Sequence, residues 1–510
     1  MSSLNIKHPD YTAMLPDWQL MADAYAGERA VKAKGELYLP ATPSMVLDGM
    51  KTHSSVGMLA YERYKLRAVF WDFVSEAVER LVGMLHQKPA NVKIPKAMEP
   101  LLKKASRQDE SLQQLLRRIN EQQLVYGRLG LLADLPDVVS VVSDTLPYIA
   151  LYQAIAVANW DVSHDGVGMD VTKMVVLDET TPEITSDFSW RQVIKYRVVR
   201  LNPVVTEGNF NENASTGPAG VYQTGIFRFS DNEHYGIDGM FTPMYKGKVL
   251  NQIPFEFVNS RDTLATPDRA PLLGLARLCF AIYRGEADYR QSLFMQGQDT
   301  LVIVGGAPQS DPTLADSAGA ATRVGAGATI EVNLGGDAKY IGVSATGLPE
   351  QRSALENDKA SASAKAGQLM SPQAGKQESG DALTTRVSAQ TANLAQVAHT
   401  GAAALEKMLK HIAVWMSLDP DEVSVEANTE FLDHLMTCKD LSDLMDARMK
   451  GSPMSLKTIH DNMVARGMTD LTFDEEIEQI ILEKTMIGAS PIEPVSVMLA
   501  ATPPAPVPAK

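Results

Sequence analysis

Residues 272–296 read LLGLARLCFAIYRGEADYRQSLFMQ, a run that follows Pro271 and is interrupted only by Gly274 and Gly285. Proline suits a helix start, where its missing N–H is not needed, and the run is about seven turns long. One long helix is expected. After it DTLVIVGGAP (299–308) reads as a strand, and residues 305–336 are rich in Gly, Ala, Ser, Asp and Pro, with strand fragments at ATIEVNL (328–334) and AKYIGVSAT (338–346).

The chain then turns helical again at LPEQRSALENDKASASAKAGQLM (348–370), with Pro349 near the start and charges on several faces. Large apolar residues are few, so this helix cannot bury much surface by itself and must pack on neighbours. Residues 371–381, SPQAGKQESGD, read as an exposed polar loop. Beyond it, Ala382 to Met416 carries Leu383, Leu394, Leu405, Leu409 and Ile412 with no proline and one glycine. At 1.5 Å per residue that is roughly 50 Å of helix, several times the usual length.

Upstream, a short helix is expected from Pro16 through Trp18, Met21 and Tyr25, followed by a loop broken at Gly27 and Gly35. Apolar positions from Tyr61 to Leu85 recur at threes and fours and predict one amphipathic helix ending near Pro89, with Phe70, Trp71 and Phe73 on its core face. A second runs from Leu112 to Tyr126. The middle third is β-rich, with strands expected at RLGLLADL (128–135), LPYIALYQAI (146–155), DVTKMVVLDE (170–179), RQVIKYRVVRL (191–201), GVYQTGIFRFS (220–230) and IPFEFV (253–258). Small helices follow at DLSDLMDARMKG (440–451), SLKTIHDNMVARG (455–467), with Ser455 as its cap and Gly467 as its stop, and DEEIEQIILEK (474–484). From Gly488 onward six prolines predict an extended or disordered tail.

Composition narrows the function classes. The chain has 510 residues, 45% of them hydrophobic, and a net charge of −15. From Ser417 to Lys484 there are 16 acidic and 6 basic residues, so much of the excess negative charge sits late in the chain. Such a balance argues against a protein whose main task is gripping phosphates, although DNA could pass over the surface without sticking. Cys279 and Cys438 are too far apart in sequence to suggest a disulfide framework or a paired-Cys zinc site, and a reducing cytoplasm suits them. No run approaches eighteen apolar residues, so neither secretion nor a membrane partner is expected.

Catalytic signatures are missing. No G-x-x-x-x-G-K-[ST] loop, H-E-x-x-H or G-x-S-x-G occurs. His399 and His411 read as helix-surface or packed residues, and Asp474, Glu475 and Glu476 as a helix start complementing the macrodipole. No catalytic, cofactor-binding or metal residue is assigned. An enzyme with an unrecognised site would need a cleft of shifted titratable groups.

The order of elements resembles the portal family of tailed bacteriophages. YERYKLRAVFWDFVSEAVERLVGMLHQKP resembles an early helix of one portal branch through Tyr64, Arg67 and Ala68 and a Leu-Val-Gly stop at Leu81 to Gly83. IPFEFVNS and the run beginning APLLGLARL resemble that branch through Pro271 to Leu273 and Ala287 to Tyr289.

The resemblance implies an α+β portal-type subunit: helices and a mixed α/β wing at 1–270, a descending stem helix at 271–299, a small α/β clip at 300–347, an ascending stem helix at 348–370, a tunnel loop at 371–381, a very long wing helix with a following strand at 382–430, a helical crown at 431–487 and a tail at 488–510. It also implies a homo-oligomeric ring of about twelve subunits at one capsid vertex. That ring would be assembled in the host cytoplasm and carried in the virion, as the conduit for packaging and ejecting double-stranded DNA. Implied partners are the terminase large subunit, a head–tail adaptor, the major capsid protein and a scaffolding protein. In the tunnel loop Gln373, Lys376, Gln377 and Ser379 would meet DNA, with Lys376 its one basic group. Another head–tail connector or tail ring would also lack catalytic motifs, but such adaptors are generally much shorter.

Overall fold

A computed structural model describes residues 6–52, 55–135, 146–164, 170–186, 188–202, 220–229, 240–296, 300–304, 337–341, 347–367, 380–429, 438–465, 468–469 and 471–486. The chain divides into two units, Met1–Thr429 and Glu430–Lys510. The first is a mixed α+β structure with several antiparallel sheets.

It begins with α1 (Pro9–Ala26), α2 (Glu28–Ala33), α3 (Pro43–Leu47), α4 (Ser55–Arg67) and α5 (Phe73–Leu85). Helix α1 starts seven residues before the expected Pro16, because Pro9 occupies the first turn and the His8 ring accepts from the Asp10 N–H at 3.2 Å. Pro16 lies inside the helix, where burial of Tyr11, Trp18, Met21 and Ala24 carries it past the missing donor. The expected loop after Gly27 contains α2. The single helix expected from Tyr61 to Leu85 is two, α4 and α5, parted at Ala68–Asp72. That break turns the backbone, so Phe70 points into the core while Trp71 is exposed, a correction to its placement on a core face. Periodicity across the break survives because both helices pack on the same long helix at Leu273–Gln296.

Strand β1 (Asn91–Lys93) precedes α6 (Leu112–Tyr126), whose Ser111 and Gln114 form a reciprocal capping box and whose end is set by Gly127 in the left-handed region. The β-rich segment follows as β2 (Arg128–Asp134), β3 (Tyr148–Gln153), β4 (Val157–His164), β5 (Asp170–Asp178), β6 (Thr181–Ser186), β7 (Ser189–Asn202), β8 (Val221–Phe229) and β9 (Phe255–Asn259). Strands β3-β2-β9 form one antiparallel sheet. Strands β4-β5-β7-β6 form a second, with β8 on the other side of β7's sheet-bound half. The two sheets are tied by Arg197 on β7, which donates to Asp134 at 2.7 Å and to Glu179 at 2.6 Å, while Tyr148 and Tyr152 donate to the same two carboxylates. The two carboxylates share one guanidinium, and each also accepts from a neutral phenol, so every charge in this buried group is hydrogen-bonded, the condition for tolerating it away from water.

Next come α7 (Leu273–Gln296), the antiparallel pair β10 (Thr300–Val304) and β11 (Asp337–Ile341), α8 (Leu348–Gly367), α9 (Gly380–Trp415) and β12 (Ser424–Glu426). The fragment ATIEVNL and the end of the expected helix at 368–370 lie outside the described residues. Helix α9, 36 residues and about 54 Å long, is the axis of the core. Leu405, Met408, Leu409 and Ile412 on it pack with Leu115 and Ile119 of α6 and Leu129 and Leu131 of β2. Strand β12 returns to pair antiparallel with β1, a contact no local pattern announced.

The second unit has α10 (Cys438–Met449), α11 (Leu456–Ala465) and α12 (Phe473–Met486). Ser455 caps α11 through the Thr458 N–H at 3.0 Å, and Thr472 with Glu475 forms a capping box on α12. Gly467, expected as a stop, lies outside the described residues, as does the tail from Gly488.

Candidate functional site

The expected DNA-contacting residues Gln373, Lys376, Gln377 and Ser379 lie outside the described residues, and so does most of the expected clip. What the structure does describe is the helical frame on either side of them, α7 and α8.

These helices pack antiparallel. Tyr289 lies near Arg352, Gly285 faces Leu355, and Lys359 donates to Glu286, so positions later in α8 meet positions earlier in α7. Gly285 read in the sequence as a helix weakness. Its function is space: a Cβ there would stand 2.9 Å from Leu355 Cδ2. Leu355, Ala362 and Ala366 are the buried residues of α8, at seven- and four-residue spacing on one narrow face, and most of the rest is exposed. That narrow contact is what a helix so poor in large apolar residues can make.

Charge completes the pairing. The Glu286 carboxylate is only 3% exposed and accepts from both Lys359 and Arg290. Burial alone would raise its pKa; the two cations outweigh burial and hold the carboxyl below its usual range. Lys359 also lies over the Trp71 ring at 4.4 Å, which gives that exposed indole a role on the α8 side of the break between α4 and α5.

The C-terminal third of α7, next to the excursion at 297–347, is clamped by α4. Tyr64 on α4 donates to Asp288 at 2.6 Å, Arg67 donates to Gln291, and the Arg67 guanidinium lies 4.2 Å over the Phe294 ring. Burial and the Asp288 bond push the Tyr64 hydroxyl pKa far up, so it stays protonated and donating. Tyr38, Phe70, Phe280 and Tyr283 pack ring to ring beneath, with centroids 4.3–5.9 Å apart. The two short motifs singled out in the sequence, Tyr64-x-x-Arg67 and Ala287-Asp288-Tyr289, therefore face each other. Cys279, on the buried side of α7, has its thiol pushed up to about 12 by burial and nearby Asp72.

Of the remaining candidates, His411 contacts Gln252 and Glu256 at 2.8 and 3.1 Å, as expected for a packed residue. Among the described residues no cluster of His, Cys, Asp and Glu is arranged to hold a metal, and no helix is long and apolar enough to cross a membrane. Two wide clefts, of about 670 and 630 Å³, are lined by mixed charges: the first carries His8, Asp10, Glu256 and Lys407, the second Lys104, Arg107, Asp109 and Lys246.

A family model described as a domain of unknown function, DUF4055, matches residues 271–416, the span from α7 through α9. Among solved structures the chain is similar to one from the neck of a native gene transfer agent particle computed with C12 symmetry, at 12% identity and a TM-score of 0.35 over 77% of this chain and 89% of that one. It is similar to one from the virion of a native gene transfer agent particle, at 12% identity and a TM-score of 0.35 over 82% and 91% of the two chains. A third, from the neck of an empty particle computed with C6 symmetry, gives 13% identity and a TM-score of 0.35 over 82% and 90%. No curated protein matches the chain.

Proposed function

We propose that this chain is a portal subunit: one member of a ring, of about twelve copies, at a single capsid vertex, through which double-stranded DNA enters and leaves. The observation that carries the reading is the frame around residues 297–347. Two antiparallel helices, α7 and α8, stand on either side of an excursion containing the β10–β11 pair, the C-terminal third of α7 is locked to α4 by Tyr64 and Arg67, and the chain then enters the 36-residue α9. In a portal these are the descending stem helix, clip, ascending stem helix and wing-spanning helix. Residues 371–381, with Gln373, Lys376, Gln377 and Ser379, would be the tunnel loop, its last two residues, Gly380 and Asp381, already opening α9.

The exposure of α8 fits this role. A helix with one narrow buried face and a largely exposed remainder suits a channel wall or a ring neighbour, and its charges balance, Glu350, Glu356 and Asp358 against Arg352, Lys359 and Lys365. A wall without net positive charge lets phosphates slide. The chain carries no chemistry of its own in this reading; ATP hydrolysis is supplied by the terminase large subunit docked at the clip, which is later exchanged for the head–tail adaptor. The major capsid and scaffolding proteins meet the outer wing.

Deleting residues 373–380 tests the assignment. Particles built with the deleted chain are expected to contain normal rings and less packaged DNA. Full packaging would remove the tunnel-loop assignment, and absence of the chain from the capsid vertex would remove the portal reading.

A further inference from the structure

Strand β3 has an open edge. Among the described residues it pairs with β2 alone, and Ile149 stands opposite Ala133. The Ala133 N–H turns to the far side of the sheet, donating to the Pro254 C=O at 2.9 Å, while the Ile149 N–H turns outward and donates to the Ala105 C=O at 2.8 Å. The two residues therefore form a non-hydrogen-bonded pair, and the alternation of an antiparallel ladder puts Leu151 and Gln153 in the same state. The Ile149 C=O, both backbone groups of Leu151 and the Gln153 N–H thus face away from β2, with no partner among the described residues.

Helix α6 overhangs this edge. Its Leu115 and Ile119 pack on the sheet with Leu129, Leu131 and Ile149. Arg118 and Gln122, their neighbours on the helix surface, line a slot of about 340 Å³ whose other side is Ile149, Leu151 and Gln153. Gln122 is 7% exposed, and its Oε1 has no hydrogen-bond partner among the described residues. The Arg118 Nε–H is buried and equally unpartnered, although Nη1 lies 3.0 Å from Glu110. One end of the slot is shut: Ala105 takes the Ile149 N–H from the place where a next strand would lie, and Ser106, Arg107 and Gln108 continue that wall. Arg118 stands at the shut end beside Glu110; Gln122 lies one turn further along, towards Gln153, which pairs with Leu129 just past the end of α6.

These groups select their ligand by hydrogen bonding. A row of unpaired N–H and C=O groups along a strand is met by another extended backbone, and not by a helix, whose own groups are bonded internally. A slot shut at one end takes a chain that stops there. The open-edged strands β4 and β6 of a second copy run on at both ends and do not fit. A chain stops with a carboxylate, and the group waiting at the shut end is a guanidinium with an N–H to give. A chain whose C-terminus lies there runs antiparallel to β3, the direction of every other pair in this sheet.

We propose that the β3 edge captures the free C-terminus of another protein. The last residues of that partner add as a short antiparallel strand, bonded through the backbone to Leu151 and Gln153. Its terminal carboxylate accepts from Arg118 Nε, and a hydroxyl or amide side chain just before the end donates to Gln122 Oε1. Backbone bonds supply the affinity, and the carboxylate contact restricts the site to chain ends. The site stands whether or not the chain forms a ring.

Amide hydrogen exchange on the full chain tests the site. The probe is the peptide acetyl-Ser-Val-Thr-Val-Ser-Val with a free C-terminal carboxylate, compared with its C-terminal amide and with a form N-methylated at every interior amide. At on the order of 1 mM, the free acid is expected to slow exchange at about two amides, Leu151 and Gln153, in the fragment covering 149–154. The C-terminal amide is expected to need about tenfold more peptide for the same protection, and the N-methylated form to give none. Gln122→Leu removes the orphaned acceptor and is expected to melt no lower than wild type, yet to need several times more of the free acid. No protection by the free acid, or equal protection by the N-methylated form, would overturn the docking site. Equal response to acid and amide would overturn carboxylate capture. Amides of Leu151 and Gln153 that are already protected in the protein alone, and lose that protection on dilution, would assign the edge to a second copy and overturn the separate partner.

Discussion

Tyr64 donates its hydroxyl proton to Asp288 at 2.6 Å, joining α4 to α7 across 224 residues of chain. The bond is charge-assisted and partly buried, and such bonds contribute about 1.5–3 kcal/mol. Tyr64→Phe keeps the ring packing and removes only the donor. A loss of stability of about 2 kcal/mol in denaturant titration is expected, and Asp288→Asn, whose neutral amide oxygen still accepts, is expected to lose less.

Helix α9 meets α6 closely at Gly401, where a Cβ would stand 2.5 Å from Asn120 Nδ2 and 2.9 Å from Gln123 Oε1. These two side chains are hydrogen-bonded to each other at 2.8 Å and cannot both withdraw. Gly401→Ala gains about 1 kcal/mol of helix propensity and meets overpacking of about 1–3 kcal/mol together with damage to that bond. A net loss is expected. Gly274→Ala in α7, where a Cβ meets nothing within 4 Å, is expected to gain up to about 1 kcal/mol. Thermal melts of the two variants should therefore move in opposite directions.

Acid should loosen α8 from α7. The Glu286 pKa is depressed in the folded chain by Lys359 and Arg290, so its contribution is present above the ordinary carboxylate pKa and is lost as pH falls through the depressed folded value. A fluorophore pair on exposed positions of α7 and α8 should separate below about pH 4.5. Glu286→Gln should flatten that pH response, while the wild-type pair should hold steady from pH 6 to pH 8.

The Cys279 thiol is buried and its pKa is raised to about 12. In a Cys438→Ser background, iodoacetamide at pH 8 should leave the native chain unlabelled and modify it on unfolding. Labelling rate then reports the opening of α7 from its aromatic bed.

Much of this frame was legible in the sequence, for identifiable reasons. Helices α6, α7 and α9 carry enough periodic apolar residues for local pattern and tertiary burial to agree. The break between α4 and α5 was hidden because Tyr61, Tyr64 and Phe70 continue the spacing of Val74 and Val78; all pack inward, and helical phase alone does not reveal a turn between them. Local pattern points to Pro16 as the start of α1 because proline's preference for a first turn is a local rule, whereas the burial of Tyr11 is a tertiary fact. The β1–β12 pairing joins three-residue strands some 330 positions apart, which no window can show. At the helix pair, Gly285 looked like a defect because the sequence does not say that Leu355 comes to fill its place. The clamp of Tyr64 on Asp288 joins residues 224 positions apart on two helices of mixed polarity, where no local pattern marks either as a partner.

Electron microscopy of the purified protein tests the central claim most directly. The account predicts closed rings of about twelve-fold symmetry with a central hole wide enough for duplex DNA. A population that remains monomeric at high protein concentration would contradict it.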